Sequence, residues 1–117
     1  MRVMIVDDHK GFRAWLRDLL VARGHDCLEC PDGLCALVSW SAWQPSWILL
    51  DLRMPGLDGL ETLLALRRGG CTATVAILTA HNDPESPLRA LASGAQAFFC
   101  KDSIQGLLAR IEATTTE

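Results

Sequence analysis

The sequence predicts an α/β domain with one parallel five-stranded sheet covered by helices on both faces. Three observations predict it. Short apolar runs alternate with helix-length segments five times along the chain. Several of the runs are continuously apolar, as strands buried on both faces are. Acidic groups, a threonine and a lysine follow these runs directly, at the strand ends where open parallel sheets bind ligands.

The elements follow in order. Arg2 to Val6 is the first strand. Gly11 to Arg23 is a helix, because Phe12, Trp15, Leu16, Leu19 and Leu20 recur at helical spacing and Gly24 closes it. Asp26 to Cys30 is a weaker strand. Gly33 to Trp43 is a helix that ends before Pro45. Trp47 to Leu50 is a buried strand, Leu57 to Arg68 a helix stopped by Gly69-Gly70, and Thr74 to Leu78 a β-branched-rich strand. Pro84 to Ser93 is a helix with proline in its first turn. Ala97 to Cys100 is the fifth strand and Ser103 to Ala113 the last helix. Strand–helix alternation implies right-handed crossovers and hence a parallel sheet.

Composition narrows the function. The chain has 117 residues, enough for one domain, and half are apolar. The net charge is −3 and the basic residues are scattered, which argues against direct nucleic-acid binding. No apolar run approaches the roughly 20 residues of a membrane span. The N-terminus runs into acidic residues too soon for a signal peptide, so a cytoplasmic location is expected. Cys27, Cys30, Cys35, Cys71 and Cys100 are odd in number, against a disulfide framework. Cys27 and Cys30 lie at odd spacing on a strand and so face opposite ways, which argues against a shared metal.

The first strand ends in Asp7-Asp8, the third in Asp51, the fourth in Thr79 and the fifth in Lys101. A single Asp after a strand is ordinarily a cap or turn residue. Four such positions together point to one site. Three carboxylates at one pole resist joint ionisation without a cation. Hard oxygen ligands suit Mg²⁺, which can neutralise a transferring phosphoryl group. Lys supplies a point charge for a phosphate oxygen, and an Asp can be the nucleophile.

With these residues in place, the chain resembles the receiver domains of two-component response regulators. The resemblance rests on Val6-Asp7-Asp8-His9, Leu50-Asp51-Leu52-Arg53-Met54-Pro55-Gly56-Leu57-Asp58-Gly59, Leu78-Thr79-Ala80 and Cys100-Lys101-Asp102. It implies a flavodoxin-like (βα)5 three-layer sandwich with strand order 2-1-3-4-5, the receiver occupying residues 1–113. It implies that Asp51 is the phosphoacceptor. Asp8, Asp51 and the backbone carbonyl of Arg53 would ligate Mg²⁺, with Mn²⁺ as the alternative ion, and Asp7 would act through water. Thr79, Lys101 and the backbone of Ala80 would bind the phosphoryl group. Thr79 and Phe98 would form the switch. Arg53 and His81 would tune dephosphorylation. The implied donor is a sensor histidine kinase or phosphotransfer protein. The reaction is self-catalysed acceptance with slow self-dephosphorylation, so no turnover enzyme is expected.

Asp-Asp-His with Phe12-Arg13, and Lys101-Asp102, resembles the NarL/FixJ type, whose receivers precede a helix-turn-helix output domain. The tail 114–117 is read as a linker stub towards such a domain, or as the end of a stand-alone receiver. A homodimer through the fourth and fifth helices is a further expectation, with Leu88, Leu91 and Ala92 against Ile104, Leu107, Leu108 and Ile111, most of them also core candidates. Asp58 is expected to cap the third helix. His9 and His25 are read as surface or capping residues. Trp40 and Trp43 share a helix face and are expected to pack on the sheet; Trp47 stands in the third strand with no further role assigned. Three other functions compete. A Mg²⁺ phosphohydrolase would want an acid two residues after the nucleophile, where Arg53 stands. A flavin carrier would want a Ser/Thr/Gly-rich loop where Asp7-Asp8-His9-Lys10 stands. A phosphorylation-independent docking module would not need the intact acidic set.

Overall fold

In the computed structural model, residues 1–80, 89 and 92–115 are described. The strands are β1 (Arg2–Val6), β2 (Asp26–Cys30), β3 (Trp47–Asp51), β4 (Thr74–Thr79) and β5 (Ala97–Cys100). The helices are α1 (Lys10–Ala22), α2 (Gly33–Trp43), α3 (Gly59–Arg68) and, last in the chain, α4 (Ile104–Thr115), which a 3₁₀ turn at Lys101–Ser103 precedes. All strand pairs are parallel, in the order β2-β1-β3-β4-β5. This is the flavodoxin-like arrangement expected. The fourth predicted helix, 84–93, lies outside the described residues except at Arg89, Ala92 and Ser93, where Ser93 N–H donates to the Arg89 carbonyl over 3.0 Å.

The period of two along each strand divides the core into two halves. Met4, Val6, Ile48, Leu50, Val75 and Ile77 face α2 and α3, where Leu63 and Leu66 meet them. Val3, Ile5, Trp47, Leu49, Ala76 and Leu78 face α1 and α4, against Leu16, Leu20, Leu107 and Ile111. Cys30 belongs to the first half and Cys27 packs on the second, as their odd spacing requires; all five thiols are free. Trp40 and Trp43 pack on the first half. Trp47 is buried in the second, and its indole N–H donates to Thr114 Oγ1 over 3.2 Å. That bond holds the end of α4, which runs past the expected Ala113.

Two boundary differences bear on the site. β3 and β4 each extend one residue further than expected, taking in Asp51 and Thr79. α3 begins at Gly59 rather than Leu57, because Asp58 is its N-cap: its carboxylate accepts from Glu61 N–H over 2.8 Å, and Glu61 Oε1 accepts from Asp58 N–H over 3.1 Å. His9 caps α1, with Nδ1 accepting from Phe12 N–H over 3.0 Å. His25 is not a surface residue. It is 6% exposed and its Nδ1 lies 3.2 Å from the N-terminal amine. Ile104, Leu107, Leu108 and Ile111 are all core, so they do not offer a docking face. Leu88 and Leu91 lie outside the described residues, and Ala92 is exposed.

Candidate functional site

A cavity of about 310 Å³ opens at the carboxyl ends of the strands and is lined by Asp8, His9, Asp51, Arg53, Thr79, Ala80 and Lys101. The fold therefore brings together residues 93 positions apart in sequence, from Asp8 to Lys101. Asp7 and Asp51 are buried and Asp8 is exposed, and carboxylate oxygens of the three lie within 4.8 Å of one another. Lys101 Nζ stands 2.7 Å from Asp7 Oδ2 and 3.6 Å from Asp51 Oδ1. It also sits 4.5 Å from the centre of the Phe12 ring, a favourable place for an ammonium.

Asp7 is tied down at nearly every polar atom. Its N–H donates to the Cys30 carbonyl over 3.0 Å, and its Oδ1 accepts from His9 N–H over 2.8 Å. Its backbone carbonyl accepts from the Arg13 guanidinium over 2.6 Å. Oδ2 alone is buried without a hydrogen-bond donor among the described residues; its contact with Lys101 is an ion pair without hydrogen-bond angles. A hard cation among these oxygens would satisfy it.

The Met54-Pro55-Gly56-Leu57-Asp58-Gly59 segment sets the surroundings of Asp51. Gly56 takes a φ of 76°, open to glycine at little cost. Gly59 lies so close to β3 that an added Cβ would meet the Asp51 carbonyl at 2.4 Å and the Leu52 Cα at 2.8 Å. The first turn of α3 thus packs directly on the backbone that carries Asp51.

Burial pushes the Asp51 carboxyl up to about 6; the charge of Asp7 and, less strongly, that of Asp8 add to the rise, and Lys101 opposes it. The group is 6% exposed. The arrangement is a carboxyl strained by neighbouring carboxylates at one end of the sheet, with one cation partly relieving it. Chemically, such a set can hold a divalent cation and present one carboxylate to an electrophile.

Of the residues expected at the site, Asp7, Asp8, Asp51, Arg53, Thr79, Ala80 and Lys101 converge. His81 lies outside the described residues. Phe98 lies on β5, half-buried against the α2 and α3 side of the core, and Phe99 on the opposite half. Sequence reasoning gave no role to Phe12 as a seat for Lys101 or to Arg13 on the Asp7 carbonyl. Phe12 stood out only for its apolar helical spacing and Phe12-Arg13 only as part of the NarL/FixJ resemblance, neither of which points to these contacts.

Comparison with known proteins agrees with this geometry. The family described as the response regulator receiver domain matches residues 3–112. The nitrate/nitrite response regulator protein NarP of Escherichia coli (strain K12) is 40% identical over 104 residues, which are 87% of this chain and 48% of that protein. The chain thus spans about half the length of such curated relatives. The signal receiver domain of the putative response regulator NarL from Mycobacterium tuberculosis superposes with a TM-score of 0.82 at 34% identity, covering 95% of each chain. The response regulator TrrA from Thermotoga maritima, solved in complex with Mg(2+)-BeF, gives 0.85 at 26% identity over 96% of each. No helix among the described residues is long and apolar enough to cross a membrane.

Proposed function

Because the chain belongs to the response regulator receiver domain family, we propose that it is a phosphoacceptor switch in which Asp51 takes a phosphoryl group from a sensor histidine kinase or phosphotransfer protein. The observation that carries this is the environment of Asp51. It is a buried carboxylate at a strand end, beside two further carboxylates and an ammonium 3.6 Å away. Asp8, Asp51 and the Arg53 carbonyl would hold Mg²⁺, and Asp7 would act through water. Asp7 Oδ2, which is buried and ion-paired with Lys101 but has no hydrogen-bond donor among the described residues, and the all-oxygen donor set fit such an ion, and TrrA in complex with Mg(2+)-BeF supports it by analogy. Bound there, the cation supplies neutralisation of charge on the phosphoryl oxygens.

The chain's own residues do the rest. An Asp51 carboxylate oxygen attacks phosphorus, the bond from phosphorus to the donor's leaving atom breaks, and an acyl phosphate results. Lys101, already shared between Asp7 and Asp51, pairs with the phosphoryl oxygens. The Thr79 hydroxyl at the end of β4 and the backbone of Ala80 just after it bind the same group. Thr79 and Phe98 couple this to a change of shape read by an output domain or partner, a helix-turn-helix domain in the NarL/FixJ pattern. Arg53 borders the group and tunes its loss to water. No turnover of an external substrate is involved.

The test is intact mass after incubation with acetyl phosphate, with and without Mg²⁺, for wild type and Asp51→Asn. One added phosphoryl group is expected in the wild type with Mg²⁺ only, and none in the variant. An adduct of equal yield in Asp51→Asn would reject the assignment.

A further inference from the structure

Arg13 lies on α1, outside the cavity, and has no part in the chemistry above. Yet its guanidinium joins three elements. Nη1 donates to the Asp7 backbone carbonyl over 2.6 Å, and Nε donates to Glu29 Oε1 on β2 over 2.9 Å. Its side chain is only 12% exposed, and Glu29 is also gripped by Arg17. Asp7 and Asp8 sit in the three-residue connection between β1 and α1. Their mutual repulsion, and that of Asp51, pushes this connection outward. The N–H and Oδ1 of Asp7 are held by uncharged backbone partners. Among the described residues the bond from Arg13 is the charge-assisted tie on that backbone, and such bonds are about twice as strong as neutral ones.

We propose that Arg13 is a positioning residue for the metal-binding carboxylates: by bridging the Asp7 carbonyl to Glu29 on β2, it holds the β1–α1 connection where Asp7 and Asp8 share a cation with Asp51. This rests on the metal-dependent phosphoacceptor reading. The planar fork is required, because two acceptors on different elements must be met at fixed geometry, which a lysine ammonium does poorly. Partners that orient metal ligands from behind typically change metal affinity by about tenfold to a hundredfold when removed.

The experiment is calorimetric titration of Mg²⁺ into wild type, Arg13→Met, Arg13→Lys and Glu29→Gln. It is paired with the rate of phosphorylation by acetyl phosphate at limiting and saturating Mg²⁺. Expected is a rise in Mg²⁺ Kd of about tenfold or more in Arg13→Met, with Arg13→Lys recovering only part of it. The rate at saturating Mg²⁺ stays near the wild-type value, since Asp51 itself is not moved. A merely structural arginine would change unfolding but not this split. A Kd in Arg13→Met within about twofold of wild type overturns the proposal, as does full recovery by Arg13→Lys. If Arg13→Met does not fold, Glu29→Gln decides, because it keeps Arg13 and weakens the anchor; an unchanged Kd there rejects the bridge. Absence of both Mg²⁺ binding and phosphorylation in the wild type would instead sink the phosphoacceptor reading itself.

Discussion

Replacing Asp51 by Asn should stabilise the metal-free domain, although it removes the proposed acceptor. Burial and two neighbouring carboxylates raise the Asp51 carboxyl from 3.8 to about 6, net of the opposing Lys101. The difference of about two units corresponds to roughly 3 kcal/mol of folding free energy forgone when the group is ionised. The sign follows from proton binding. Between pH 3.8 and about 6 the folded state holds this proton more than the unfolded state does. Wild-type stability therefore falls as pH rises through that window and is lowest above it. Asp51→Asn lacks this step. In chelator at pH 8 it should exceed the wild type by about 2–3 kcal/mol, which for a domain of this size is on the order of 10 °C in Tm. At pH 4 the two should nearly coincide. The assay is urea denaturation and thermal melting from pH 4 to 8, with and without Mg²⁺. Saturating Mg²⁺ should close the gap, since a cation at 100 times its Kd adds about 2.7 kcal/mol to the state that binds it. Equal or lower stability of Asp51→Asn at pH 8 without metal, or a gain independent of pH, would refute the reasoning.

Three other perturbations probe the frame. Gly59→Ala should slow phosphorylation and cost about 1–3 kcal/mol in urea, because the new Cβ meets the Asp51 carbonyl at 2.4 Å. Arg67 donates to the carbonyls of Cys71, Ala73 and Gly94 and to Gln96 Oε1, at the pole away from the site. Arg67→Ala should cost roughly 2–3 kcal/mol, while phosphorylation by acetyl phosphate at 25 °C stays at the wild-type rate. Burial, with the adjacent N-terminal amine, lowers the His25 pKa below 6.5. Its neutral form is favoured in the fold, so that stability is intact above pH 6.5 and lost as pH falls below it; in His25→Gln this acid-side loss, read by melting temperature against pH, should flatten.

The elements were legible because period and punctuation agree. Trp47 to Leu50 and Thr74 to Leu78 could only be strands buried on both faces, and Gly24 and Gly69-Gly70 marked helix ends. The site was legible for a different reason: a parallel sheet puts every strand's carboxyl end at one pole, so Asp7, Asp8, Asp51, Thr79 and Lys101 had to meet there. What escaped was long-range and polar. His25 is buried beside the N-terminal amine 24 residues earlier, a contact that no local pattern encodes. The Arg13–Glu29 pair joins a helix to an edge strand, and Phe12 meets Lys101 across 89 positions. The apolar spacing of Ile104, Leu107, Leu108 and Ile111 suited either core or docking, and only the α4 packing decided for core.

The most direct test of the central claim is to trap the acyl phosphate on the protein and locate it. After phosphorylation in Mg²⁺, borohydride reduces an aspartyl phosphate to homoserine, which peptide mass spectrometry assigns to a position. Homoserine at 51 alone, absent when Mg²⁺ is chelated before and during phosphorylation, is the predicted result. Homoserine at 7 or 8, or trapping at 51 that persists without a divalent cation, would contradict it.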